Sequence, residues 1–189
     1  VRQELAVPEL ARAVHAQWRS ARERDGWRFG PPDVAAKTSP YLKPIEAFDE
    51  LEWRRERWLA LTDLLAIAAH APARLTAIEI PTTMVSRLQC ERTAWDIEAI
   101  AGRAHSAWAA INQALGIADL RARLPFHDLN EDAKRRSRAN VACDIAAIAA
   151  LTQSYACARL RVHACTDMIA DKHMCSMVLG ALGSVDPPR

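Results

Sequence analysis

The stretch IEAIAGRAHSAWAAINQALG, Ile97 to Gly116, is the most regular amphipathic segment of this 189-residue chain. Ile97, Ile100, Ala104, Trp108, Ile111 and Leu115 recur at intervals of three and four, which lays them along one face of a helix. Thr93 and Asp96 ahead of it resemble a capping box, and Gly116 is a stop signal behind it. Within this helix His105 and Trp108 stand three apart. The same pair occurs in the first half of the chain, as His15 and Trp18.

A common organisation extends outward from both pairs. Leu10, Val14, Trp18 and Ala21 form an apolar stripe behind Pro8, and Gly26 ends that helix. A loop dense in Gly and Pro comes next, from Gly26 to Pro44. A second helix is predicted from Ala47 to Ala69, with Leu51, Trp58, Leu61 and Leu65 on one face and Pro72 closing it. In the second half a shorter loop reaches Leu124-Pro125-Phe126, and a helix starts near Asn130 and runs past Ile148. Pro44-Ile45-Glu46-Ala47-Phe48 corresponds to Pro125-Phe126-His127-Asp128-Leu129, and Arg54 and Arg57 correspond to Arg135 and Arg138. The chain therefore reads as a diverged tandem repeat whose second copy has lost about nine loop residues. By this reading the second copy lacks counterparts of Gly26, Trp27, Phe29, Gly30 and Asp33.

The expected class is mainly α: two helix hairpins with irregular loops, plus a C-terminal helix. The first repeat is placed at residues 1–72, a linker at 73–92, the second repeat at 93–153, and a helix and tail at 154–189. Ile78-Glu79-Ile80 is a candidate extended piece before Pro81, and the last helix is expected over about Ser154 to Leu182. Composition agrees, since Ala, Leu, Glu and Arg are abundant while Gly and β-branched residues are scarce. A net charge of +2 selects no partner. No apolar run is long enough to cross a bilayer, and Val1 to Arg12 lack the pattern of a secretory signal. Five cysteines without CxxC spacing read as reduced thiols, so a cytoplasmic protein is expected. Cys157, His163, Cys165, Asp167, Asp171, His173 and Cys175 spread around the last helix and read as a mixed face, not a zinc site. No Walker loop, GxSxG, HExxH or GxGxxG occurs, so no enzyme, metal or cofactor is expected.

The first loop carries the functional signal. Gly26 and Gly30 are the only glycines in the first hundred residues, and they flank Trp27-Arg28-Phe29. Glycines there let the chain turn tightly and bring a ring against a ligand. Trp27 offers a stacking face for a base, while Arg22, Lys37 and Arg57 supply phosphate contacts. Asp33 accepts from a ribose or an exocyclic amine. Trp53 and Arg57, four apart and off the core stripe, share a face that can line a site. Phe29 and Tyr41 complete the ligand-binding set, Trp53, Tyr41 or another chain in a dimer being the source of a second ring. Trp18 and Trp58 sit on apolar stripes and read as core. His15 and His105 recur at equivalent positions, which suggests a scaffold hydrogen bond.

In these residues the sequence resembles the ryanodine receptor repeat family. His15, Trp18, Arg22, Gly26, Trp27, Phe29, Gly30, Asp33, Lys37, Pro40, Leu42 and Pro44 follow the family pattern, with Ser39 in place of the usual His and Ile45 in place of the usual aromatic. The likeness is specific over Leu10 to Trp58, weaker over Ile97 to Leu151, and does not cover the last helix. It implies two helix-hairpin repeats and a ligand of the nucleotide or ADP-ribose class. The expectation is a non-catalytic sensor or sequestering protein in nucleotide signalling or phage conflict, with a homodimer as one assembly and neither nucleic acid nor membrane as partner. The alternative is a helical interaction module whose Trp27 loop docks a polypeptide.

Overall fold

The computed structural model describes residues 3–69, 79–81, 96–154 and 159–163, together with His173, Met174, Ser176, Met177 and Ala181. The fold is mainly α. A strand, β1 (Gln3–Ala6), leads directly into α1 (Val7–Arg24), which has Pro8 in its first turn and Arg22 and Arg24 in its last, where cations oppose the helix dipole favourably. The loop behind it holds two short strands, β2 (Arg28–Phe29) and β3 (Thr38–Ser39), and a 3-10 turn at Ile45–Ala47. Helix α2 (Glu50–Ala69) is next, then β4 (Glu79–Pro81), α3 (Ile97–Ala114), 3-10 turns at Leu120–Arg123 and Phe126–Asp128, α4 (Glu131–Ser154) and β5 (Arg159–His163).

The core lies among the four helices. Leu10, Leu64, Ile67, Ile100, Ile111 and Ile148 are almost fully buried, each stabilising the fold by about 1.5–3 kcal/mol relative to exposure. Besides pairing within each hairpin, α1 packs on α4 and α2 packs on α3. The first helix of one hairpin thus leans on the second helix of the other, so neither hairpin completes a core alone.

The two hairpins repeat the same local geometry at the positions matched by sequence. His15 Nε2 donates to the Lys43 carbonyl at 3.0 Å, and His105 Nε2 to the Leu124 carbonyl at 2.9 Å, each acceptor lying immediately before the proline of the motif. The rings of His15 and Trp18 are 5.6 Å apart, those of His105 and Trp108 5.3 Å. Both prolines open a 3-10 turn, and an Asx cap starts each succeeding helix: Asp49 Oδ1 accepts from Glu52 N, Asn130 Oδ1 from Ala133 N.

Contrary to expectation, Gly26 does have a counterpart in the second hairpin, Gly116. Both have positive φ (+84° and +68°), and both end their helix with paired backbone bonds from the glycine and the next residue. The second hairpin has the same cap with a shorter connection beyond it, because a left-handed helix end favours glycine whatever the loop carries.

The C-terminal region also departs from expectation. It is not one continuous helix from Ser154 to Leu182, since Arg159–His163 form β5, parallel to β1 with Leu160 opposite Gln3 and antiparallel to β4 with Leu160 opposite Ile80. Arg-Leu-Arg-Val-His alternates polar and apolar residues, a period of two that the helical reading overlooked. The described residues from His173 onward are helical. The sheet order β1-β5-β4 ties the start of the chain to the segment behind each hairpin, and β4 lies inside the expected linker, where the extended piece was placed.

Candidate functional site

Arg22, near the end of α1, is the centre of the most suggestive constellation. Its guanidinium carbon lies 5.3 Å from the Trp27 ring centre and 5.9 Å from that of Trp18. The Schellman-type turn at Gly26 makes this possible, because Trp27 N donates back to the Arg22 carbonyl at 3.0 Å and folds the ring over the helix end. Arg22 also donates to Asn140 Oδ1 on α4 at 2.8 Å, which locks the first hairpin to the second. Trp18 is half-buried and belongs to this cluster, not to the buried core where the stripe placed it; Trp58, at 3% exposure, is core.

Burial and neighbouring cations dominate the electrostatics around Arg22. Burial, and the nearby cations Arg136 and Arg121, hold its proton affinity below the usual value, with Cys143 and Asp25 opposing. Burial, Arg121 and Arg135 do the same to Arg136, with Asp132 opposing; among the described residues Arg136 makes no ion pair and keeps a buried Nε without a hydrogen-bond partner. Arg121 is held by Asp119, with an Nη–Oδ distance of 2.6 Å, and lies 5.3 Å from the Trp108 ring centre. Guanidinium groups stay charged in proteins, so the repulsion is carried as a standing cost that an anion would relieve.

The remaining predicted residues do not converge on this point. Lys37, at φ +53°, donates from Nζ to the Asp25 carbonyl at 2.8 Å, and Asp33 Oδ1 accepts from Ala35 N and Ala36 N. Both therefore shape the loop. Phe29 is 63% exposed at its edge. Tyr41 lies under Arg55, with the guanidinium carbon 4.4 Å from its ring centre, and against Phe48. Trp53 packs on the core and carries Arg12 at 5.3 Å and Arg57 at 5.9 Å. Arg12 and Arg22 are ten residues apart on α1, about 15 Å along its axis, so the Trp53 and Trp27 clusters are separate surfaces. An open concavity of about 480 Å³ lies elsewhere again, along Gln113, Gly116, Ile117, Ala118, Asp119, Ala122 and Arg123 behind α3.

Sequence reasoning missed Arg121, Arg136 and Asn140, all from the second copy. Arg136 is the positional counterpart of Arg55, one residue past the matched Arg54 and Arg135. That correspondence was the available signal. The contact of α1 with α4, which makes these residues neighbours of Arg22, has no signature in either repeat read separately.

No known family model matches the chain, and neither does any curated protein sequence. Among the described residues no group of His, Cys, Asp and Glu is arranged to hold a metal ion, and no helix is long and apolar enough to cross a membrane.

Proposed function

We propose that this protein is a non-catalytic receptor for a nucleotide or ADP-ribose-type small molecule. It works in the cytoplasm as a sensor or sequestering protein, in nucleotide signalling or phage conflict. The observation that carries this reading is the arginine group at the contact of the two hairpins. Arg22 is fixed between Trp18 and Trp27, with Arg121 and Arg136 close enough to perturb it and no carboxylate bonded to Arg22 or Arg136 among the described residues. Fork-shaped donors beside indole rings suit a ligand with both an aromatic base and phosphate oxygens. The resemblance of the first loop to the ryanodine receptor repeat supports the same class.

A second reading has its own observation. Phe29 and Val34 are exposed apolar residues at the tip of the first loop, which favours docking of a polypeptide. A thermal-shift screen with ADP-ribose, AMP and ADP separates the two. Binding to the native state raises the melting temperature, and the rise grows with the logarithm of ligand concentration above Kd. A shift that Arg22→Ala abolishes supports the small-molecule receptor. No shift with any of the three at millimolar concentration favours the docking module.

A further inference from the structure

We infer that Asp63 and Asp144 form a proton-sharing carboxyl pair that clasps α2 to α4, so that the fold takes up a proton and loosens as the medium turns alkaline. The pair stems from the repeat. Six residues beyond the matched Arg57 and Arg138 stand Asp63 and Asp144, equivalent positions on the second helices of the two hairpins. Their carboxyl groups are within hydrogen-bonding reach of each other. Asp144 is 3% exposed, and its Oδ2 finds no N–H or O–H from any other described residue. Asp63 keeps some accessible surface, but protein crowds its carboxyl, and that crowding governs its ionisation.

The charges facing the pair decide how many protons it holds. From α2 come Arg55 and Glu56, the latter held by His15 of α1, and from α4 the neighbouring Cys143. Helix α3 contributes neutral Asn112, whose Oδ1 accepts from Arg55 Nε at 3.0 Å. His15 Nε2 faces a carbonyl oxygen and must donate, while its Nδ1 lies 3.4 Å from Glu56 Oε1 and is favourably placed only if it donates too. The geometry thus favours the imidazolium of His15: burial opposes its charge, but the hydrogen bond and charge of Glu56 prevail and raise its affinity for the proton. With His15 and Arg55 positive and Glu56 negative, the network is neutral when Asp63 and Asp144 together carry one negative charge. That state has one shared proton. A second negative charge would be buried without a cation to meet it, which is strongly disfavoured. Burial first, then Glu56, push Asp63 up to about 7, and burial and Asp63 push Asp144 well above the carboxylate range.

An acid whose proton is held more tightly in the folded than in the unfolded chain stabilises the fold fully below the ordinary carboxyl range, and that stability is lost as pH rises, through about 7 for Asp63 and higher for Asp144. The test is urea denaturation of the full chain from pH 5 to 8, for wild type and for Asp144→Asn, whose amide can donate to Asp63 without a titrating proton. His105 lies outside this network, titrates alike in both proteins and cancels in the comparison. The ratio of the wild-type to the variant unfolding constant is expected to rise by about tenfold or more per pH unit from pH 5 to about 7, and to go on rising beyond it. A ratio independent of pH overturns the inference. Should the variant not fold, carboxyl-carbon NMR of the wild type decides: an aspartate titrating near neutral pH supports the pair, and all aspartates titrating below pH 5 refute it.

Discussion

His15 and His105 occupy the same place in the two hairpins and make the same bond to a carbonyl, yet they hold their protons differently. Beside His15 stands Glu56; the position corresponding to Glu56 in the second hairpin is Ser137, which brings no charge. His105 is left with burial, which lowers its affinity against the pull of the Leu124 carbonyl, and the Arg121 cation lowers it further. Proton NMR should find His15 titrating above the usual imidazole value and His105 below it; the reverse order would refute the local electrostatics. The signs for stability are opposite. His15 contributes stability that is lost as pH rises through its raised value, whereas His105 disfavours the fold as pH falls through the imidazole range. His15→Ala should cost about 2–3 kcal/mol, because the Lys43 carbonyl is left unmet and Glu56 keeps only Arg55 as a buried partner, and His105→Ala about 1–3 kcal/mol, for one unmet carbonyl. Chemical denaturation checks both. At the proposed ligand site, Trp27→Ala removes one ring face and should weaken binding of ADP-ribose by about 1–3 kcal/mol while the melting temperature of the free protein barely moves.

Among the helices and strands, legibility in the sequence depended on how local each signal is. α3 was readable because Ile97, Ile100 and Ile111 are spaced for a helix and Asp96 and Gly116 cap it with their own side chain and backbone. β5 was missed because five residues of alternation, Arg159 to His163, are outweighed in a long window by helix formers on both sides. The strand is completed by β1 and β4, which come from distant parts of the chain. Of the site, the Arg22–Trp27 pair was readable because one turn of chain creates it; Arg121, Arg136 and Asn140 were not, because only the packing of α1 on α4 brings them near. Ile111→Ala, which empties a fully buried position between the hairpins, is expected to cost about 2–5 kcal/mol, measured by denaturant unfolding. Gly116→Ala meets no atom within 4 Å, so its loss should come from the positive φ alone, about 1–2 kcal/mol.

Across the whole molecule, two diverged hairpins share one core and one carboxyl pair but differ in their loops, and the arginine group sits where the first loop meets the second hairpin. A single ligand site per chain is expected, since the second copy has Asn112 where the first has Arg22 and Ile117 where the first has Trp27. An anionic ligand bound there should also lose affinity with added salt, because the Debye length shortens from about 10 Å at 0.1 M to about 3 Å at 1 M. Isothermal titration of the full chain with ADP-ribose at two salt concentrations, repeated on Arg22→Ala, is the decisive measurement for the receptor. One site per chain, weaker binding at high salt and none measurable in the variant are the expected results. Binding that Arg22→Ala leaves unchanged, or two equivalent sites per chain, would refute a receptor built on the Arg22 cluster.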